Sequence, residues 1–171
     1  MSYRPEALDW SIDNCTVQRA LHVLGDRWSF VVLREVFNGI RRFDDMRTRT
    51  AIPRQVLTDR LTRLVDEGLL RREPYREDRQ RQRHEYRLTA KGMDLYPVLV
   101  ALNEWGSAYY ADAAGSPLTF RHRDCDGEVA TVLRCAHGHD VDDVREVVPA
   151  PGPGARRRTY GVARPGRVGT Q

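Results

Sequence analysis

RRFDDMRTRTAIPRQVLTDRLTRLVDEGLLRREPYREDRQRQRHEYRL, residues 41–88, decides the fold. A short helical pattern comes first, over 42–48, with Phe43 and Met46 facing inward. Thr50, Ala51 and Ile52 form a turn. Pro53 then opens a longer helix running to 67, since proline suits a first helical position whose N–H would be unpaired anyway. Val56, Leu57, Leu61, Leu64 and Val65 recur at helical spacing and define its buried stripe, and Gly68 stops it. Two strands follow over 69–75 and 84–88, the second alternating Tyr86 and Leu88 with Glu85 and Arg87. Residues 76–83 contain no apolar side chain and read as a hairpin tip in water. Short helix, turn, longer helix and basic hairpin, in that order, predict a winged helix-turn-helix of the α+β class.

Upstream, Val17, Ala20, Leu21 and Leu24 mark a helix over 16–24, broken at Gly25-Asp26. Residues 28–37 are apolar nearly all round, which predicts a short buried helix at the centre of the domain. Residues 1–14 are polar and read as a flexible arm. Downstream, Thr89 caps a helix reaching about 112, with Pro97 kinking or breaking it. Leu95, Val98, Leu99, Leu102, Trp105 and Tyr109 form a seam along that helix. So long a seam suits a homodimer interface or packing against residues 16–37. Segments 118–121 and 131–134 read as a small β-hairpin within a C-terminal appendage, 116–148. The Pro-, Gly- and Arg-rich end from 149 reads as a disordered basic tail. The DNA-binding domain is thus expected over 15–112.

Charge distribution narrows the function. The chain of 171 residues carries a formal net charge of +4. From Arg41 to Arg87, 14 arginines face 9 acids, a net +5, and Arg156, Arg157, Arg158, Arg164 and Arg167 add another +5. The remainder sums to −6, so the positive charge is localised, as nucleic-acid binding requires. No apolar run approaches the ~20 residues of a membrane span, and the N-terminus lacks the apolar core of a signal peptide, which points to the cytoplasm. There is no phosphate-cradling glycine loop, Gly-x-Ser-x-Gly or HExxH, so no enzyme activity and no cofactor are expected.

The stretches CTVQRAL (15–21), LGDRW (24–28), LRE (33–35), RRF (41–43), IPR (52–54), LTDRL (57–61), EGL (67–69), YRLTAKG (86–92) and EWG (104–106) together resemble the HxlR family of winged-helix regulators, relatives of the MarR type. The resemblance covers more than half of the chain. It implies a homodimer on a palindromic operator, acting as repressor or activator. Family members often carry prolines in the wing; here Arg79 and Arg81 stand there instead, giving a more cationic and less rigid wing.

The outward face of the helix from Pro53 offers Arg54, Gln55, Thr58, Asp59 and Thr62. Arg54 suits a guanine edge and Gln55 an adenine edge, while Thr58 suits a base or a phosphate. Arg60 and Arg63 suit phosphate or pairing with Asp59 and Glu67, and Arg42 and Arg47 flank the first helix of the pair. Arg79, Arg81 and Arg83 suit the backbone or a minor groove. The rival reading is a winged-helix protein–protein adapter with a merely solvated basic face. The arginine-rich character of both the helix face and the wing favours double-stranded DNA.

Three inputs for a signal are legible. Cys15 begins the first helix and is either a redox sensor or a small buried residue, the second being the commoner role. Trp28, Tyr96, Trp105 and Tyr109 either line a cleft for a small effector or form core. His122, Cys125, Cys135 and His137 or His139 are zinc-ligand types, but Gly138 interrupts the usual spacing, so turn residues are the alternative.

Overall fold

The computed structural model describes residues 10–75 and 83–158. Four helices lead in: α1 (Thr16–Leu24), α2 (Arg27–Phe37), α3 (Phe43–Thr50) and α4 (Arg54–Asp66). Strands β1 (Leu70–Tyr75) and β2 (Arg83–Leu88) follow, then α5 (Ala90–Met93) and α6 (Tyr96–Tyr110). The fold is a winged helix-turn-helix, α+β in class.

Its centre is α2, which packs on α1, α3, α4, β2 and α6. Val32, Leu33 and Val36 from α2 meet Met46, Ile52, Leu57, Leu61, Leu64, Leu69 and Leu70 in one buried cluster. At about 25 cal/mol per Å2 of apolar surface removed from water, this cluster is the main stabilising element of the fold. Asp26 caps α2, its Oδ1 accepting from Trp28 N (3.0 Å) and Ser29 N (3.1 Å).

The turn between α3 and α4 places Ala51 in the left-handed region at φ 53°. Pro53 is the N-cap of α4 rather than its first helical residue (φ −54°, ψ 138°). Gly68, at φ 68°, ends α4, with Leu69 N donating to Leu64 O at 2.9 Å. That positive φ is what glycine permits without strain. The chain then reverses into β1.

β1 and β2 are antiparallel, in a register running from Leu70 opposite Leu88 to Tyr75 opposite Arg83. Residue 42 bridges to Glu85, and Tyr86 N donates to Arg41 O at 2.8 Å, so the entry to α3 borders the wing. Residues 76–82, the tip of the wing, lie outside the described residues.

The helix expected over 89–112, kinked or broken at Pro97, is broken into two. Thr89 does cap the first, its hydroxyl accepting from Gly92 N at 3.1 Å. Pro97 sits in the first turn of α6, where no N–H is needed, and the break falls before it. The strand pair expected between 118–121 and 131–134 does not form. Each segment instead closes its own tight turn, with Arg121 bridged to Glu128 and Arg134 to Asp140. Val132 and Leu133 of the second segment are exposed, so the two segments bury no shared face.

The arm and the tail are tied together where they are described. Ser11 N donates to Arg156 O at 2.7 Å, Asn14 Nδ2 donates to Gly154 O at 2.7 Å, and residue 10 bridges to residue 157. Residues 10–14 are therefore not a free arm, nor are 154–158 a free tail.

Candidate nucleic-acid interface

On α4 the apolar stripe faces the core, with Leu57, Leu61 and Leu64 fully buried. Arg54, Gln55, Thr58 and Asp59 lie on the opposite, exposed face. Thr58 Oγ1 donates to Arg54 O (2.9 Å), and Gln55 Nε2 donates to Asp59 Oδ1 (2.8 Å). The Arg54 guanidinium lies 5.3 Å from the centre of the Phe43 ring. Cation–π contact of this kind restrains a long side chain at the helix N-terminus.

A groove of about 570 Å3 separates α3 and α4 from the wing. Arg54 and Thr58 line one side, and Tyr75, Arg83 and His84 the other. Arg83 stands 3.6 Å from Asp44 across it. The Arg42 guanidinium lies 4.5 Å above the Tyr75 ring, and Arg47 is exposed on α3. Arg54, Thr58 and Arg83 thus border one groove, with Arg42 over Tyr75 at its edge, while Gln55 and Arg47 are exposed on α4 and α3. Arg79 and Arg81 fall outside the described residues.

Arg60 and Arg63 are directed elsewhere. Arg60 Nη1 is 3.2 Å from Asp26 Oδ2, and its Nε is buried with no hydrogen-bond partner among the described residues. Arg63 donates to the carbonyl of His22. Both turn toward α1 and α2 because they stand on the flank of α4 next to its apolar stripe. They join α4 to the preceding helices, in place of the phosphate contacts or the pairing with Asp59 and Glu67 expected from spacing. Burial raises the Asp26 carboxyl, but hydrogen bonds from Ser29 and Trp28 and the Arg60 charge outweigh it, and Asp26 titrates below the ordinary aspartate range.

Glu35 is a second ion-pair hub, missed by sequence reasoning. Its side chain is 1% exposed, Oε1 accepts from Arg34 (2.6 Å and 3.0 Å), and Oε2 accepts from Arg49 (2.8 Å). The arginine from α3 is thereby fixed to α2. Burial works against the charge, yet the hydrogen bonds from Arg49 and Arg34 hold the Glu35 carboxyl below its usual range. A glutamate inside an apolar helical run was the available signal. The aromatic supports of the arginines, Phe43 and Tyr75, were also missed.

The signal inputs fare differently. Cys15 is the half-buried N-cap of α1 and makes no side-chain cap hydrogen bond. The four aromatics expected around an effector do not converge. Tyr96 packs between Phe37 (5.0 Å) and Phe120 (5.6 Å), Trp105 and Tyr109 meet at a tilt (5.7 Å) and are both exposed, and Trp28 carries the Arg27 guanidinium (4.0 Å). Spacing along a helix does not report which face turns inward. His122 Nδ1 lies 3.3 Å from Cys125 Sγ, but no group of three or more His, Cys, Asp or Glu among the described residues is placed to hold a metal. The two clusters occupy separate turns.

Residues 23–114 match the family model described as HxlR-like helix-turn-helix. The chain belongs to this family of transcriptional regulators. It is 41% identical over 143 residues to Rv3095 of Mycobacterium tuberculosis (strain ATCC 25618 / H37Rv), named an uncharacterized HTH-type transcriptional regulator; this spans 84% of the chain and 89% of the relative. It is 38% identical over 96 residues to sll1512 of Synechocystis sp. (strain ATCC 27184 / PCC 6803 / Kazusa), of the same description, covering 54% and 68% of the two chains. Among solved structures, PA1607, described as a candidate transcription factor, superposes with a TM-score of 0.71 at 31% identity, covering 81% of this chain and 95% of that one. The oxidised form of a protein named redox regulator HypR gives 0.51 at 28% identity, covering 57% and 100%.

Proposed function

We propose that the protein is a sequence-specific DNA-binding transcriptional regulator, a homodimeric repressor on a palindromic operator. The observation that carries this reading is the exposed face of α4, where Arg54, Gln55 and Thr58 stand opposite a fully buried leucine stripe and beside a cationic wing. The N-terminal turns of such a helix enter the major groove, where arginine reads guanine and glutamine reads adenine. Arg42, Arg47 and Arg83, with Arg79 and Arg81 of the wing, contact phosphate or a minor groove.

Dimerisation is supported by α6. Val98, Leu102, Trp105 and Tyr109 recur along one face and are 47%, 46%, 54% and 71% exposed. Val17 and Leu21 of α1 are exposed as well. Apolar surface of this extent on two helices is covered by a second copy, which sets two reading helices one turn of DNA apart, about 34 Å. The cytoplasm is the compartment this function requires, and no helix among the described residues is long and apolar enough to cross a membrane.

The test is fluorescence anisotropy with DNA from the region upstream of the protein's own gene, against a scrambled duplex. Specific binding at least about 1,000-fold tighter than to the scrambled duplex is expected. Equal, weak binding to both would favour a protein–protein adapter instead.

A further inference from the structure

A cavity of about 300 Å3 lies between α2, α6 and the turn that follows α6, away from the α4 face. Phe30, Leu99, Leu102 and Tyr110 supply apolar and aromatic wall, and Asn103 and Ser107 supply polar atoms. Among its lining residues Arg34 alone is charged, and no acidic side chain lines it. Sites for small molecules begin at about 300 Å3 and combine mostly apolar walls with a few polar groups that fix orientation.

We propose that this cavity binds a small planar aromatic carboxylate, with Arg34 as the partner of the carboxylate. The ring is received by Phe30, Leu99 and Tyr110. The match is one of charge and shape: Arg34 and Arg49 share the single carboxylate of Glu35, so the three groups carry one net positive charge beside an otherwise apolar wall, which suits one negative charge on an otherwise apolar molecule. Arginine meets a carboxylate through two parallel N–H···O bonds, so the pairing is also oriented.

Arg34 is not idle in the empty cavity, since it donates to Glu35 Oε1. Ligand carboxylate and Glu35 therefore compete for the same guanidinium. Glu35 in turn holds Arg49 at the end of α3, just before the turn into α4. Occupancy of the cavity is thus felt by the helix pair proposed to hold DNA. This use as a signal input rests on the DNA-binding reading; the binding site itself does not.

Gly106 supplies a clean probe. It lines the cavity, and a Cβ added to it meets nothing within 4 Å. A β-carbon at this position is therefore accommodated, and Gly106→Leu adds bulk at the cavity wall while removing a glycine from a helix interior. Calorimetric titration of the full chain, without DNA, uses 1-naphthoate and its neutral counterpart 1-naphthamide. Naphthoate is expected to bind about tenfold more tightly than the amide, the worth of a charge-assisted hydrogen bond. Arg34→Met should erase that preference, and Gly106→Leu should weaken both compounds by about tenfold or more. Glu35→Gln, which removes the competitor, should tighten naphthoate several-fold. No naphthoate binding at millimolar concentration, or an affinity unmoved by Gly106→Leu, overturns the site. Gly106→Leu altering the dimer's sedimentation while naphthoate binding stays intact assigns the cavity to a second copy and overturns it equally. Equal affinity for acid and amide overturns the role of Arg34. Because these titrations contain no DNA, their failure leaves the reading of α4 standing, and failure to bind DNA leaves the cavity standing.

Discussion

The two halves of the chain are held by different forces. The described residues between 23 and 95 close over one apolar core, in which eleven residues are buried together. Among the described residues the appendage after α6 contributes a single buried apolar side chain, Phe120, which rests on Leu99 and Val100. Leu118 and Val129 pack half-buried around it, and two polar bonds add to the join: Asn103 Nδ2 to Leu118 O (3.2 Å) and Thr131 N to Glu104 Oε1 (2.9 Å). Its ion pairs, Arg134–Asp140 and Arg145–Asp143, are exposed and of little energetic value. The comparison with relatives shows the same division. The match to Rv3095 spans 84% of the chain and so must reach past residue 114, whereas the match to sll1512 spans 54%. A stable winged helix thus carries a feature that relatives share unequally.

The largest test of this contrast is in the core. Leu61→Ala, at a site with no exposure, should cost about 3 kcal/mol in a denaturant titration. Val132→Ala, 59% exposed in the appendage, should cost less than about 0.5 kcal/mol. Similar losses at the two sites would show the halves to be one cooperative core.

Glu35 gives the next largest effect. Glu35→Gln should cost about 2 kcal/mol, less than for a fully enclosed pair because Arg34 and Arg49 reach solvent. The sign with pH follows from the depressed titration of Glu35. Its contribution is complete above the ordinary glutamate value of 4.5 and is lost as pH falls through the lower value of the folded state. Acid unfolding of Glu35→Gln should therefore be flatter below pH 4.5 than that of the parent. Asp143 in the appendage is also shifted down, by Arg145, but it is exposed, and Asp143→Asn should leave the acid limb unchanged. An equal flattening by both would break the comparison.

At the DNA face, Arg54→Ala should weaken binding to the operator about tenfold and relax base preference. Arg81→Ala should reduce the salt slope by about 0.9 without changing preference. Arg134→Ala, with an equal charge change in the appendage, should alter neither. Anisotropy titrations at several salt concentrations separate the three. A slope lowered as much by Arg134→Ala would place the appendage on DNA.

What was legible in the sequence follows the same division. Helical spacing found the leucine stripe of α4, and alternation found β2, because the leucines and the Tyr86 and Leu88 pair pack against one common core. Arg60 and Arg63 were misplaced because charge alone does not say whether an arginine at the margin of a stripe turns outward or reaches Asp26 and His22 O. Their partners are 34 and 41 residues away, beyond any local pattern. The appendage hairpin was misread because its few apolar residues, such as Val132 and Leu133, are exposed rather than paired. The tie between Ser11 and Arg156 is a backbone contact with no side-chain signature.

Cys15 is where the smallest effect is expected, and where the contrast between core-held and loosely held regions meets the question of signal. The residue caps α1 yet gives no side-chain hydrogen bond to it. Serine at an N-cap accepts from an otherwise unpaired N–H, so Cys15→Ser should leave stability unchanged or raise it by about 0.5 kcal/mol. The segment before it is held by residues 154–156, Ser11 N donating to Arg156 O and Asn14 Nδ2 to Gly154 O, and lies outside the main core. If Cys15 is a packing residue, peroxide treatment leaves operator affinity the same for the parent and for Cys15→Ser. If peroxide weakens only the parent, the thiol at the start of α1 is a signal input. The loosely held junction of arm and appendage would then control the rigid DNA-binding half, and the separation of roles between the two regions would fail.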